Sequence, residues 1–268
     1  MYKSVFYIIF SALFFISCEQ KTDVEFETEK FNLLIVEALI TNEYKSHEII
    51  LSKPVLELNQ IPEFVSDAEV SVYINATKVN FAEDSILKGH YFADSMFIAV
   101  VDKYYSLEIK NDNKVFTAGT TIVPVMQPDT LKYQVNENTG LYSFDFSNSI
   151  VSDFESAMYE LNLDWSHILG DSVNRAKLYF YTFKTLDVCE IFAPEQQKIY
   201  FPKGTKIQLR KYSLNEAHSA FLRGVLIETQ WSGGYFDEAN ANPKTNLSSG
   251  ATGFFGVSSV VERNFVVE

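Results

Sequence analysis

The sequence predicts a mainly β protein: an N-terminal immunoglobulin-like or transthyretin-like β-sandwich, followed by a β-rich domain with one amphipathic helix. Three observations predict it. Aromatics make up 15% of the 268 residues, led by 23 Phe and 15 Tyr, and with plentiful β-branched residues they suit pleated, half-buried surfaces. Short apolar runs, several alternating with period two, are separated by turn residues at even spacing. A single later window switches to helical spacing. At 47% hydrophobic and 21% charged, the chain has a globular composition, which excludes disorder, collagen and coiled coil.

The N-terminus reads as a leader. Lys3 precedes an apolar run from Val5 to Ile16 that ends at Ser17-Cys18. Such a run is too short to span a bilayer core of about 30 Å. A basic start, a short apolar core and a small residue at the cut site form a secretory signal. A signal cut after a small residue is one reading, and the sharper one is a lipoprotein signal, because Phe15-Ile16-Ser17-Cys18 looks like a lipobox. On that reading residues 1–17 are removed, Cys18 carries the acyl chains, and the mature protein sits on a membrane without crossing it. Cys189 is then the only remaining thiol, which rules out an intramolecular disulfide and leaves a small buried hydrophobe as its expected role. Residues 18–30 are polar, acidic and aperiodic, as a tether would be.

From Phe31 strands and turns follow one another. Asn32 to Ile40 reads as a strand, Thr41-Asn42-Glu43 as a turn and Glu48 to Ser52 as a second strand. Between Ala68 and Ile74 the alternation places Val70, Val72 and Ile74 on one face. Asn75-Ala76-Thr77 turns that strand into Lys78 to Phe81, and Gly89-His90-Tyr91-Phe92 opens another. Tyr104 to Lys110 pairs with Lys114 to Val123 through Asn111-Asp112-Asn113, a hairpin signal. About seven strands in some 95 residues suggest the sandwich, spanning 31–125. Pro124 and Pro128 interrupt the pattern, and because proline cannot donate to a ladder the domain boundary is expected there.

The second domain, 126–268, has strands predicted at Tyr142 to Phe146, Ser156 to Trp165, Ala176 to Leu186 and Lys206 to Tyr212. In the last, Lys206, Gln208 and Arg210 alternate with Ile207, Leu209 and Lys211. Ser213-Leu214-Asn215-Glu216 fits a capping box with Ser213 as the cap. Leu214, Ala217, Phe221, Leu222 and Val225 then recur at helical spacing, predicting a helix over about 214–229.

Val36-Glu37-Ala38-Leu39-Ile40-Thr41-Asn42, Ile49-Ile50-Leu51-Ser52, Asp67-Ala68-Glu69-Val70, Gly89-His90-Tyr91, Tyr105-Ser106-Leu107-Glu108-Ile109 and the run Asn246 to Gly256 stand in an order and spacing that carry a resemblance. Together they resemble Bacteroidota lipoproteins of domain-of-unknown-function family 4249 over nearly all of the mature chain. This chain departs from its relatives at Ser248 to Gly253, where they more often have a tighter Gly-rich turn. The resemblance implies a lipoprotein of the outer membrane, facing the cell exterior and acting beside a TonB-dependent receptor in nutrient capture. It implies no catalytic residue. Asp84-Ser85-Ile86, Asp94-Ser95-Met96, Asp129-Thr130-Leu131 and Asp171-Ser172-Val173 also resemble the short O-glycosylation acceptor sequence of that phylum.

The charge argues against nucleic acid, since 22 basic residues against 35 acidic ones leave a formal charge of -13 and no basic face to meet phosphates. Enzyme chemistry finds little in the residues. His47, His90, His167 and His218 stand in unrelated segments, and no hydrolase, zinc-protease or phosphate-loop motif is present. Asp153/Glu155 and Asp237/Glu238 would suit glycosidic acid/base work only across a cleft. No spacing argues for a metal or cofactor. The stretch from Trp231 to Pro243 has the composition of a contact loop: Trp231, Tyr235 and Phe236 offer flat apolar area, while Asp237, Asn240 and Asn242 offer hydrogen bonds. The plainer reading is a loop pinned by its own aromatics. The expected function is that of a non-catalytic receptor partner, with an adhesive or structural surface lipoprotein, or a surface glycosidase or peptidase, as alternatives.

Overall fold

Alternation of apolar and polar residues sets the strands of this protein, whose structure is a computed structural model describing residues 33–55, 57, 59–128, 131–144, 155–168, 174–184, 198–230 and 243–268. The fold is mainly β, with one helix among the described residues. Strands β1 (Leu34–Thr41), β2 (Glu48–Ser52), β3 (Glu69–Ile74), β4 (Thr77–Glu83) and β5 (His90–Ala93) follow the predicted runs closely. In β3, Val70 and Val72 are buried and Ile74 packs against the same core, as period two requires. β6 (Tyr104–Asn111) and β7 (Lys114–Thr121) form the predicted hairpin. Its turn residues Asp112 and Asn113 both have positive φ, 48° and 62°, the conformation that lets a two-residue turn match the twist of its strands.

These seven strands and β13 (Ala251–Ser258) make one eight-stranded sheet in the order β13-β1-β2-β5-β4-β3-β6-β7. β13 pairs parallel with β1, Leu34 opposite Ala251 and Thr41 opposite Ser258. The sheet curls until its edges meet, like a sandwich nearly closed to a barrel, and the segment before β13 seals the seam. Leu247 bridges to Ala118, and the Ser248 amide donates to Thr117 O at 2.8 Å. Asn246 Nδ2 donates to Phe255 O (2.9 Å) and Gly119 O (3.3 Å), while its Oδ1 accepts from Phe255 N (3.0 Å). The Asn246 to Gly250 run therefore has a structural role, satisfying backbone groups that two open edges would leave bare. Inside lies a core that includes Val36, Ile40, Ile49, Leu51, Tyr105, Leu107, Ile109 and Phe255.

The second sheet, β11-β10-β12-β14, contains β10 (Ala157–Asp164), β11 (Arg175–Thr182), β12 (Lys206–Ser213) and β14 (Val260–Val266). Its inner face, with Tyr159, Leu161, Leu163, Ile207 and Leu209, packs with Phe144, Trp165 and Phe201. Phe144 belongs to the small sheet of β8 (Tyr133–Val135) and β9 (Tyr142–Phe144).

Helix α1 (Glu216–Thr229) corrects two details of the sequence reading. Its cap is Asn215, whose Oδ1 accepts from His218 N at 2.9 Å. Ser213 is unavailable because it closes β12, where its hydroxyl donates to Val123 O at 2.7 Å and accepts from Ser259 N at 2.9 Å. The buried face matches the predicted one only in part: Phe221 is shared, but the buried helix positions are His218, Gly224 and Leu226. His218 and Phe221 stack on Phe254 of β13, at 4.6 and 5.0 Å between ring centres, while Ala217 is exposed.

Polar contacts join the two larger sheets. Val123 O accepts from both Ser213 Oγ and Ser259 Oγ, at 2.7 and 2.8 Å. Arg210 of β12 reaches Glu43, between β1 and β2, at 2.5 Å. Lys211, 1% exposed, is turned into the interior, where its ammonium pairs with Glu155 and lies 5.5 Å from the Tyr159 ring centre. Glu155 also accepts from Met126 N, at 3.2 Å to each oxygen.

Two enclosed histidines make stability depend on pH. Burial lowers His218 from 6.5 to about 4. It does the same for His47, to about 4, with help from the Lys45 charge and against the hydrogen bond to Phe97 O. The unfolded chain therefore binds more protons between those values, so stability is full above about pH 6.5 and falls as pH drops toward 4. At about 1.4 kcal/mol per unit, His218 alone accounts for about 3 kcal/mol. Urea unfolding at about pH 7 and pH 5 should show a lower midpoint at the lower pH, and His218→Phe should flatten that dependence.

Candidate functional site

The outer face of the second sheet carries the candidate site among the described residues. Strand register lines up Lys177, Asn162, Gln208 and Asn264 across its four strands, with Asp164 opposite Lys206 in the next row. Here lies an open hollow of about 550 Å³, lined by Asn162, Asp164, Lys206, Gln208 and Asn264 and floored by Ile207, Phe265 and Val266. Adjacent strands are about 4.8 Å apart, so the amide row presents donors and acceptors in a fixed ladder. Asn162 Nδ2 donates to Gln208 Oε1 at 3.0 Å and to Glu160 Oε1 at 2.8 Å, and Asn264 Nδ2 donates to Glu262 at 2.7 Å. Gln208 thus keeps its amide nitrogen for the hollow.

Glu160 orders this face. Its second oxygen accepts from Tyr179 (3.2 Å) and Tyr212 (3.4 Å) and sits 3.3 Å from Lys177 Nζ, while Arg210 Nη1 lies 3.7 Å from the first. Burial alone would raise its pKa, but the Asn162 hydrogen bond and the Lys177 and Arg210 charges outweigh burial and hold the carboxyl below its ordinary value. A carboxylate kept ionised and already filled by donors positions its neighbours rather than delivering a proton near neutrality. Tyr212 is pushed up, chiefly by burial, so it stays a phenol and a donor. With both charge signs and several amides beside a larger apolar lining, the hollow suits a ligand of little net charge that has polar and apolar parts.

The residues singled out from sequence fall elsewhere. Cys18, Cys189, Trp231, Tyr235, Phe236, Asp237, Glu238, Asn240 and Asn242 lie outside the described residues, as does Asp153. Glu155 is consumed by Lys211. The histidines are dispersed: His47 contacts Phe97 O (3.1 Å), His90 pairs with Glu48 (2.6 Å), His167 contacts Gly204 O (2.9 Å) and His218 lies on the buried face of α1. Of the glycosylation-like tripeptides, Ser85 and Ser95 are exposed, while the Thr130 and Ser172 segments fall outside the described residues. Among the described residues no group of three His, Cys, Asp or Glu is placed to hold a metal ion, and no helix is long and apolar enough to cross a membrane. The amide row was not singled out from sequence. Its only signal is the polar half of each alternating strand, and which residues meet depends on a register that sequence does not display.

Fold and surface together define a β-rich module of a curled eight-stranded sheet capped by a four-stranded sheet with a polar outer face. The chain belongs to the family described as Domain of unknown function (DUF4249), which matches residues 20–264. No curated protein matches it.

Proposed function

We propose that this protein is a lipid-anchored, non-catalytic protein of the bacterial outer-membrane surface, partnering a TonB-dependent receptor in nutrient capture. The observation that carries the reading is the position of the leader relative to the family match. Lys3, the apolar run to Ile16 and Ser17-Cys18 end two residues before the match begins at 20, so the lipobox-like cysteine stands at the head of the family's own domain. Acyl chains at Cys18 would confine the fold to the membrane plane, where a weak contact with a receptor becomes effectively intramolecular. The hollow beside Gln208 would be the surface on offer to a cargo of little net charge or to the receptor's mouth. Anchoring is tested by labelling cells with radioactive palmitate. Label is expected in the wild type and absent from Cys18→Ala, and equal labelling of the two contradicts the proposal.

A further inference from the structure

Strand register fixes the end of the curled sheet at which the N-terminal chain enters. Leu34 opens β1 level with Ala251 of β13, and Ile35 faces Ser52 at the end of β2. The start of β5 and the end of β4 lie at the same end, since Ile50 faces His90 and Glu83 faces Tyr91. The connections 53–68 and 84–89 therefore project from the end that receives the tether. The opposite end is joined to the second sheet through Val123 and Ser259.

At the tethered end two adjoining loops turn apolar side chains to water. Ile86 is 86% exposed, Ile61 83% and Leu87 51%. The loops touch where the Phe64 ring lies 5.3 Å from that of His90. Neither tip is slack. Asp84 Oδ1 accepts from both Ile86 N and Leu87 N at 2.8 Å, Glu83 Oε1 accepts from Gly89 N at 3.0 Å, and Lys53 N donates to Glu63 O at 2.8 Å. A hydrogen-bonded loop that holds isoleucine and leucine outward displays apolar area that water disfavours.

We infer that this end is a lipid-facing foot, whose Ile61, Ile86 and Leu87 enter the interfacial region of the bilayer that holds the anchor. The inference rests on acylation of Cys18. About fifteen residues separate Cys18 from Leu34, a reach of at most about 50 Å at full extension, and the anchor is joined to this end of the sheet and not to the opposite one. The charges beside the tips are largely paired, Lys53 with Glu63 at 2.6 Å, Lys88 with Glu83 at 3.8 Å and Lys110 with Glu69 at 3.4 Å. Docking is therefore driven by apolar area. The exposed Met96, Ile98 and Val100 lie in the β5–β6 connection at the other end and serve as the internal control. The hollow lies at the Lys206 end of β12, whereas the Ser213 end of that strand is the one joined to Val123.

The test uses the full lipidated chain with Cys189→Ser, carrying Ile86→Cys, Ile61→Cys or Ile98→Cys labelled with an environment-sensitive nitrobenzoxadiazole dye. Each is reconstituted into phosphatidylcholine vesicles containing nitroxide-headgroup lipid, with circular dichroism checking the fold and Cys189→Ala as the alternative background. Labels at 86 and 61 should be quenched by the nitroxide lipid and protected from aqueous iodide by about threefold relative to detergent solution. The label at 98 should show neither effect. If the protein floats with the vesicles but all three labels are equally open to iodide, the foot is overturned and the anchor stands. If the wild-type chain does not float at all, anchor and foot fall together. If protection at 86 requires added receptor, the surface belongs to a protein and the lipid assignment is overturned.

Discussion

Glu155→Ala is expected to destabilise the fold by about 3–5 kcal/mol, because it leaves the Lys211 ammonium buried without its counter-ion. Lys211 is 1% exposed, lies on the inward face of β12 and has Glu155 as its ion-pair partner among the described residues. The nearby Tyr159 ring, 5.5 Å from the ammonium, cannot replace a carboxylate. Glu155 also holds the Met126 amide, so the connection after β7 should loosen with it. The double variant Glu155→Leu/Lys211→Met should recover most of the loss, since a matched apolar pair is often as stable as a buried ion pair. Urea unfolding followed by circular dichroism checks both. A single-variant loss under about 1 kcal/mol would mean that the ammonium reaches water and that the pair is not enclosed.

Gly253→Ala is expected to be comparably severe. Gly253 has φ +95°, and a Cβ there would stand 2.1 Å from Val36 O and 3.0 Å from Val36 C. Those are backbone atoms of β1 held in register opposite Gly253, so no side chain can swing aside. Left-handed strain of about 1–2 kcal/mol adds to the separation of the parallel pair, for a loss of about 3 kcal/mol or more. Gly140, with φ +69° and nothing within 4 Å of its Cβ position, is the control: alanine there meets only the backbone strain. Equal midpoints for Gly253→Ala and Gly140→Ala in thermal unfolding would contradict the close approach of β1 and β13.

Local elements were legible because their signals are local. β3 showed its buried face through Val70 and Val72, and the β6–β7 hairpin through Asp112 and Asn113. Contacts between distant segments carried no such signal. The parallel pairing of β1 with β13 joins residues far apart in the sequence, Leu34 with Ala251, and nothing in either strand names its partner. The Asn246 to Gly250 run reads as turn chemistry, yet its Asn246 side chain seals the seam between β7 and β13. Two residues able to cap a helix stood two positions apart, and the choice of Asn215 over Ser213 was made by Val123 O, which already holds the serine. The amide row is hidden for the same reason, since it exists only once β10, β12 and β14 are in register.

Partnership with a receptor is tested most directly by purifying the tagged, full-length protein from membranes in mild detergent at native abundance and identifying what accompanies it. A TonB-dependent receptor barrel should co-purify, and loss of the gene should slow growth on at least one limiting nutrient. Recovery of the protein alone, with growth of the deletion strain unchanged on every limiting nutrient tried, would contradict the uptake role.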